Sequence, residues 1–365
     1  MKVLLINSQF ERGGAARVAS VMCNGFIEHR IDLLVISDIT FSKVGYKLDS
    51  TIHIVPLFKK TRNKTNLAKI SKSSEVIVNI RNTIKEFKPD VIIAIEAYMY
   101  LRTFVANMFL KYPIIAADHT SFDRKIDKKI DFTRYHLYKY AKGLTILTEK
   151  DKILLGNKYP QKEVIYNPLP FNPLDVDKIS IRRKNILVVG RLDVWYIKGI
   201  DIILNIWSEL AGVYPNWSLE IAGDGNKNTI TTIKEMIAQH KLTERVRLLG
   251  LVNDMRSLYQ ETSIFALPSR IEGFPMALME AMSQGCATVS FSIHGATKEM
   301  VRDGAGIIVD DGNTELFKMS LVELIENDNK RERMTNQAIE SVRRFSQESF
   351  VNHWIDYINK ILNKS

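Results

Sequence analysis

Short apolar runs alternate with helix-length amphipathic stretches along this chain of 365 residues, and the series occurs twice. The runs predicted as strands are 3–7, 33–36, 91–95, 114–117 and 144–147 in the first half, and 185–189, 217–222, 246–249, 264–267 and 287–290 in the second. Stretches predicted as helices include 75–87, 199–210 and 231–240. Strands joined by helices lie parallel and are covered on both faces. Two such series predict an α/β protein with two doubly wound domains.

The segment 167–184 is the expected boundary between these domains. It contains three prolines and then a polar stretch rich in aspartate and lysine, a composition that suits a hinge better than a core element. We therefore expect an N-terminal domain over residues 1–170 and a C-terminal domain over 171–346. The last segment, 347–362, has apolar residues at helical spacing.

Several classes of protein are excluded by what the sequence lacks. Its two cysteines, Cys23 and Cys286, are far apart, which indicates a reducing, cytoplasmic compartment and no disulfide framework. No stretch approaches 18 uncharged apolar residues, so no membrane-spanning helix is expected. Signatures of P-loop kinases, serine hydrolases and zinc proteases do not occur. No metal site and no cofactor are predicted.

The positive charge is concentrated in the first half of the chain. Residues 1–170 contain 28 lysines and arginines against 16 aspartates and glutamates, a net charge of +12, whereas residues 171–365 have a net charge of −2. A basic half attracts anionic partners such as a membrane surface or a phosphorylated acceptor. The basic segment 124–129, with Phe122, Ile126 and Ile130 as an apolar edge, is the predicted contact. A solvated loop without a partner is the alternative, and no motif supports nucleic-acid binding.

The most informative segment runs from Ser269 to Met282. It follows the apolar run 264–267, so a strand should end in a loop carrying Glu272, and a helix should begin near Phe274. Ligands of parallel sheets bind at the carboxyl ends of strands, and free N–H groups at a helix start suit a diphosphate. Glu280 then lies within that helix, so the two carboxylates could hold two ends of an extended ligand. The alternative is an amphipathic helix with two incidental glutamates.

This Glu-x7-Glu block resembles the signature of the family 4 glycosyltransferases, which are retaining enzymes with the GT-B fold. The resemblance implies that Glu272 faces the donor sugar and that Glu280 binds the ribose hydroxyls. The backbone around Gly273, Phe274 and Pro275 would contact the sugar hydroxyls and the distal phosphate.

A second block, residues 188–201, resembles the family's Gly-Arg-Leu…Lys-Gly element. The resemblance implies that Arg191 and Lys198 stabilise the departing nucleoside diphosphate in place of a metal. Six residues separate the two cations here, more than is common in the family, and Trp195 and Tyr196 suggest a loop insertion. The alternative for this segment is a surface turn.

Three further segments match the family. Gly13 and Gly14 resemble the glycine loop after the first strand, where the backbone approaches the donor phosphate, although Ala16 stands where many relatives have an acidic residue. Asp224 and Val252 follow strands in segments that resemble donor-binding loops of the family. His119 lies where relatives place a histidine near the transferred sugar, although a lone histidine after a strand is often structural. The resemblance adds these residues to the donor-binding and catalytic sets.

The resemblance also implies an overall architecture and activity. Two Rossmann-like domains would face each other across a cleft, with the N-terminal domain binding the acceptor, the C-terminal domain binding the nucleotide-sugar, and the helix at 347–365 crossing back to the N-terminal domain. The reaction would be retaining transfer from a UDP-sugar to a saccharide acceptor, lipid-linked as is usual in the family, in bacterial surface-polysaccharide synthesis. Such an enzyme could be peripheral on the inner face of the cytoplasmic membrane. A nucleotide-sugar 2-epimerase on the same fold and a catalytically silent binding homologue are the alternatives.

Overall fold

The computed structural model describes residues 1–10, 13–38, 46–58, 66–122, 125–159, 161–175, 182–293, 295–302 and 304–363, including the side chains of all of these except 66–73. The chain divides into two compact units. One comprises Met1–Pro170 together with Gln347–Ser365, and the other comprises Phe171–Ser346. We refer to them as the N-terminal and C-terminal domains.

A seven-stranded sheet forms the centre of the N-terminal domain, with strand order β3-β2-β1-β4-β5-β6-β7. All of the pairings are parallel. The strands are β1 (Lys2–Ile6), β2 (Asp32–Ser37), β3 (His53–Pro56), β4 (Val91–Ile95), β5 (Ile114–Ala117), β6 (Gly143–Ile146) and β7 (Lys162–Val164). The helices are α1 (Gly14–Glu28), α2 (Asn66–Phe87), α3 (Glu96–Asn107), α4 (Lys128–Phe132) and α5 (Glu149–Leu155).

The C-terminal domain repeats this plan with six parallel strands in the order β10-β9-β8-β11-β12-β13. The strands are β8 (Arg183–Val189), β9 (Ser218–Ala222), β10 (Val246–Gly250), β11 (Thr262–Leu267), β12 (Ala287–Phe291) and β13 (Ile307–Val309). The helices are α6 (Ile200–Leu210), α7 (Lys227–Gln239), α8 (Met255–Glu261), α9 (Met276–Ser283), α10 (Ala296–Met300), α11 (Thr314–Glu326) and α12 (Asp328–Val342). The predicted class of two doubly wound α/β domains is confirmed.

The last helix, α13 (Gln347–Asn363), belongs to the core of the N-terminal domain. Its buried side chains, including Trp354 and Ile358, join the cluster on one face of the seven-stranded sheet. Helices α1 and α13 approach closely, because a Cβ at Gly25 would lie 2.2 Å from a methyl carbon of Val351. The return of the last helix to the N-terminal domain, implied by the resemblance, is therefore present.

The sequence analysis missed elements that carry a weak or interrupted pattern. Strand β3 is half-exposed, so its residues do not form a clear apolar run. Helix α3 begins at Glu96, the residue directly after β4, and no loop separates the two elements in the sequence. Helix α2 begins at Asn66, nine residues before the predicted start at Glu75. These differences leave the order and direction of the predicted strands unchanged.

Candidate active site

The loops at the carboxyl ends of β8, β9 and β11 meet through their backbones. A Cβ at Gly223, after β9, would lie 1.8 Å from the carbonyl oxygen of Gly190, after β8. A Cβ at Gly199, whose φ is 68°, would lie 2.0 Å from the carbonyl oxygen of Pro268, after β11. Only glycine allows these approaches. Three chain segments are thus held together at one edge of the C-terminal sheet.

Lys198 and Glu272 form an ion pair at this edge. Lys198 Nζ lies 2.7 Å from Glu272 Oε1, although the two residues are 74 positions apart in the sequence. Their side chains are 20% and 13% exposed, so the pair is largely removed from solvent. A cation and a carboxylate predicted from separate motifs are therefore direct neighbours.

The long spacing between Arg191 and Lys198 is taken up by tight turns. A 3-10 turn covers Leu192–Val194, and the N–H of Lys198 then donates to the carbonyl oxygen of Val194 at 3.0 Å. The N–H of Ile200 donates to the carbonyl oxygen of Trp195 at 3.1 Å. The additional residues fold back on themselves, so they do not displace Lys198 from Glu272.

Arg270 holds this loop in place, and the sequence analysis did not identify it. Its guanidinium makes two hydrogen bonds to the Asp201 carboxylate, at 2.8 and 2.7 Å, and lies 3.9 Å from the centroid of the Tyr196 ring. The hydrogen bond to Asp201 raises the pKa of Arg270. Arg270 lies two residues before Glu272, and Asp201 lies three residues after Lys198. The hydrogen bonds between Arg270 and Asp201 therefore link the two segments that carry the ion pair. No sequence pattern marks an arginine for this role.

Arg191 differs from Lys198 in its surroundings. Its side chain is exposed, and within the described ranges it has no hydrogen-bond or ion-pair partner. The next acidic residue, Asp193, is engaged: its Oδ1 accepts from the backbone and side-chain N–H groups of Asn226, at 2.8 and 2.6 Å. Arg191 is therefore open to an anion from solvent, on a loop whose neighbouring carboxylate is already occupied.

Asp224 and Val252 occupy the loops after β9 and β10. The carboxylate of Asp224 accepts from the N–H of Gly225 at 2.8 Å, and its carbonyl oxygen accepts from the N–H of Leu192 at 2.9 Å. Asp224 thus shapes the turn beside the Arg191 loop. Val252 is half-buried and follows Gly250, whose φ is 65°.

Helix α9 carries the second glutamate of the Glu-x7-Glu block. The helix follows Pro275, and Phe274 is buried with its ring edge against Phe345. Glu280 is 5% exposed, and its Oε2 accepts a hydrogen bond from the hydroxyl of Tyr259 at 3.1 Å. Tyr259 is a further residue that the sequence analysis missed. A buried charge requires hydrogen-bond partners. The hydroxyl of Tyr259 supplies one to the Glu280 carboxylate and so helps to fix its position.

The glycine loop of the N-terminal domain leads directly into α1. Gly13 has φ of 104° and precedes the helix, which begins at Gly14. A Cβ at Gly13 would meet no atom within 4 Å, so the position is open but its backbone conformation favours glycine. Ala16, in the first turn of this helix, is buried and has no acidic group.

His119 follows β5 at the carboxyl edge of the N-terminal sheet. Its Nδ1 lies 3.2 Å from Asn167 Oδ1, and its Nε2 is buried with no hydrogen-bond partner among the described residues. Burial lowers the pKa of His119, which favours the neutral ring. Because an amide oxygen only accepts, Nδ1 carries the hydrogen and Nε2 presents a lone pair.

A buried network of hydrogen bonds and one ion pair stabilises the loop that follows β5. The Asp118 carboxylate accepts from Arg134 Nε at 3.0 Å, from the Tyr138 hydroxyl at 2.9 Å and from the Thr120 N–H at 2.9 Å. Arg134 is fully buried, and its Nη2 also donates to the carbonyl oxygen of Thr120 at 2.9 Å. This network fixes the backbone on both sides of His119.

The predicted apolar edge of the basic segment is wrong for Phe122. Phe122 is 1% exposed, and its ring lies 4.0 Å from the guanidinium carbon of Arg134. The Phe122 ring packs against the buried Arg134 side chain and is not exposed at the surface. Arg124 of the same segment lies outside the described residues.

Ile126 and Ile130, the other two residues of the predicted edge, do not form a common exposed surface. Helix α4 begins at Lys128, so Ile126 precedes it. Ile126 is 41% exposed, whereas Ile130 packs against the core of the N-terminal domain. The exposed aromatic side chain of this helix is Phe132, at 54% exposure.

The described part of the chain lacks two kinds of feature. Within those residues, no group of three or more histidines, cysteines, aspartates or glutamates could hold a metal ion. The helices of the same residues include none with the length and apolar character needed to cross a bilayer.

Known proteins similar to this chain identify the kind of enzyme it is. A family model described as "Glycosyl transferases group 1" matches residues 175–341, which contain Arg191, Lys198, Glu272 and Glu280. The amylovoran biosynthesis glycosyltransferase AmsD of Erwinia amylovora is 26% identical over 98% of this chain and 99% of its own length. The chain is a glycosyltransferase whose residues 175–341 match this family model.

Two more proteins are similar to this chain along its given length. The Campylobacter jejuni alpha-1,4-N-acetyl-D-galactosaminyltransferase that acts on a GalNAc-containing diNAcBac-PP-undecaprenol is 24% identical over 100% of this chain and 99% of its own length. Anabaena HepE, solved in complex with UDP-glucose, is 17% identical, with a TM-score of 0.76 over 100% of both chains. The GT-B fold is therefore shared, and neither the epimerase nor the silent-homologue alternative gains support.

Proposed function

We propose that this glycosyltransferase transfers a sugar, with retention, from a UDP-sugar to a saccharide carried by a polyprenyl diphosphate in surface-polysaccharide synthesis. The observation that carries the proposal is the Lys198–Glu272 ion pair with Arg191 exposed on the adjoining loop. The relatives AmsD and the Campylobacter enzyme, named for amylovoran and for an undecaprenol-linked acceptor, support the acceptor class. HepE in its UDP-glucose complex supports the donor class.

Each charged group has a separate task in this proposal. Arg191 contacts two diphosphate oxygens, since a guanidinium presents a fork of N–H groups, and Lys198 adds a compact positive charge. Both stabilise the charge that grows on the diphosphate as the glycosidic bond breaks. Glu272 binds the donor sugar near its anomeric end and orients Lys198. Glu280 accepts hydrogen bonds from the ribose hydroxyls, with Gly273, Phe274 and Pro275 lining the sugar.

The departing phosphate itself can take the proton of the acceptor hydroxyl in a front-face transfer. This assignment needs no protein nucleophile and preserves the anomeric configuration. In the N-terminal domain, Gly13 and Gly14 would lie against the donor phosphate, and the lone pair on His119 Nε2 would accept a hydrogen bond from the transferred sugar. Asp224 and Val252 would complete the donor site by shaping the loops for diphosphate and nucleobase.

The decisive experiment is a panel of UDP- and GDP-sugars assayed for release of free nucleotide, with and without a bacterial membrane lipid extract. We expect one UDP-sugar to be turned over, with a faster rate in the presence of the extract and a labelled lipid product of retained configuration. Turnover of GDP-sugars alone would contradict the donor assignment. Release of nucleotide with epimerised sugar as the product would favour the epimerase instead.

Activity is expected to survive removal of divalent metal ions. Arg191 and Lys198 supply the positive charge that a metal would otherwise bring to the diphosphate. Turnover in excess EDTA should remain within about twofold of the untreated rate. A loss on chelation that Mn²⁺ or Mg²⁺ restores would contradict this prediction.

We also propose that the N-terminal domain rests on an anionic membrane surface, on the cytoplasmic side. The proposed contact surface consists of Phe132 and Tyr140, which are 54% and 61% exposed, together with exposed lysines from the segments on which they lie. These lysines are Lys125, Lys128, Lys129 and Lys139. A cavity of about 460 Å³ adjoins Tyr140 and is lined by apolar and basic side chains at the end of α3. Exposed aromatic rings suit the interfacial layer, and lysines suit anionic headgroups.

Vesicle co-sedimentation tests this surface. The double variant Lys128→Gln/Lys129→Gln should bind vesicles of 30% phosphatidylglycerol roughly 30-fold more weakly, because each lysine contributes about 1 kcal/mol near an anionic surface. The control is Lys227→Gln/Lys234→Gln, which removes two exposed lysines from α7 of the C-terminal domain. Vesicle binding that does not change with the fraction of anionic lipid or with salt concentration would contradict the proposed surface. An equal loss of vesicle binding in the two double variants would contradict it as well.

A further inference from the structure

Glu96 has an unusual backbone conformation at the junction of β4 and α3. Its φ is 66°, although it is neither glycine nor asparagine, and the helix begins at this residue without an intervening loop. The other non-glycine residues of positive φ in the described ranges lie in segments that connect helices and strands, and five of the six are exposed: they are Arg30, Lys88, Phe109, Lys111, Gln161 and Lys241. Glu96 alone among these seven joins a buried strand directly to a helix.

This geometry places the Glu96 side chain at the edge of the sheet where ligands bind. A strained strand-to-helix turn presents its central side chain at the carboxyl end of a parallel sheet. Backbone strain of this kind persists where the surrounding fold enforces it, and it is concentrated in binding sites. A glycine at position 96 would avoid this backbone strain, so the presence of a glutamate there requires an explanation.

The neighbours of Glu96 are the residues that follow β5. The strand register pairs Ile95 with Ala117, so Glu96 stands beside Asp118, with His119 next along the chain. Asp118 is already paired with the buried Arg134. Glu96, in contrast, is half-buried and has no hydrogen-bond or ion-pair partner in the part of the chain that the structure describes. Burial, and then the charge of Asp118, raise the pKa of Glu96.

Two unsatisfied hydrogen-bond acceptors therefore occupy one edge of the N-terminal domain: the Glu96 carboxylate and the buried Nε2 lone pair of His119. Sugar hydroxyl groups are donors that match both. We propose that Glu96 is a saccharide-binding residue, whose carboxylate accepts hydrogen bonds from hydroxyl groups of the acceptor saccharide and orients it for transfer. The proposal rests on the proposed function and adds the acceptor contact that it lacks.

The variant Glu96→Gln tests the carboxylate while keeping the shape of the side chain. With the donor identified by the panel, kcat/KM for the lipid-linked saccharide extract should fall about 10- to 100-fold, as expected for loss of hydrogen bonds to a charged group. Donor KM and acceptor-free hydrolysis of the donor should be unchanged. Glu86→Gln, which alters an exposed carboxyl group on α2, is the matched control. An equal fall in transfer and hydrolysis, or no fall in either, would overturn the proposal.

A binding measurement separates this proposal from the proposed activity. Saccharides released by mild acid from the membrane lipid extract should show saturation-transfer NMR signals with the wild-type protein and reduced signals with Glu96→Gln. This readout needs no donor turnover, so a failure of the nucleotide-sugar panel would not affect it. Equal signals for the two proteins, or no signal with the wild type, would overturn the saccharide-binding role.

The variant Glu96→Gly separates the carboxyl group from the backbone strain. Glycine adopts positive φ without penalty, so the unfolding temperature should be at least that of the wild type. The loss in acceptor kcat/KM should nevertheless match that of Glu96→Gln. Normal acceptor kinetics in Glu96→Gly would show that the side chain does not bind the saccharide.

Discussion

Replacing Lys198 with alanine is expected to lower kcat by about 10²–10³-fold, the effect of losing one group that stabilises transition-state charge. Lys198 lies 2.7 Å from Glu272, so its ammonium is held where the donor diphosphate and sugar meet in the proposed site. Arg191→Ala should produce a loss of similar size through the other phosphate contact. Steady-state release of nucleotide from the donor measures both effects.

The control for these two variants is Lys227→Ala, which removes an exposed lysine from the start of α7 in the same domain. Its rate should match the wild type. Arg191 is exposed, so Arg191→Ala should leave the unfolding temperature within a few degrees, because surface substitutions rarely change stability by more than about 0.5 kcal/mol. Near-normal turnover in both Arg191→Ala and Lys198→Ala would remove the assignment of these cations to the diphosphate.

Replacing Arg134 with methionine is expected to destabilise the N-terminal domain by about 3–5 kcal/mol, because it leaves the Asp118 carboxylate charged, buried and without its cation. Arg134 is fully buried and its Nε donates to Asp118 at 3.0 Å. The loss is a large part of the 5–15 kcal/mol typical of folded proteins. Hydrogen exchange of the β5 backbone amides, at Ile115 and Ala116, reports this change in the affected domain.

Two companion variants make the Arg134 result specific. Asp118→Asn combined with Arg134→Met removes both charges and should recover part of the lost stability, since the penalty arises from an unpaired charge. Lys139→Met, at an exposed position near the same network, should have little effect. A loss below about 1 kcal/mol in Arg134→Met would contradict the role of the buried pair.

The sequence predicted the location of those candidate site residues that directly follow a strand. Arg191, Asp224 and Glu272 follow predicted strands, and the structure places each in a loop at the carboxyl edge of the C-terminal sheet. Their roles toward the donor stay predictions. Residues that support the site through space were not identified from sequence: Arg270 and Tyr259 hold the Lys198 loop and Glu280 through contacts between distant segments.

The sequence by itself determined the two doubly wound domains, because strand and helix periodicity depends on neighbouring residues. It also located the loops that follow the strands. Only the tertiary structure decided that Lys198 lies against Glu272, that Phe122 is buried under Arg134, and that Glu96 has φ of 66°. The physical reason is that burial, ion pairing and backbone strain depend on groups from separate segments, which only strand pairing and packing bring together.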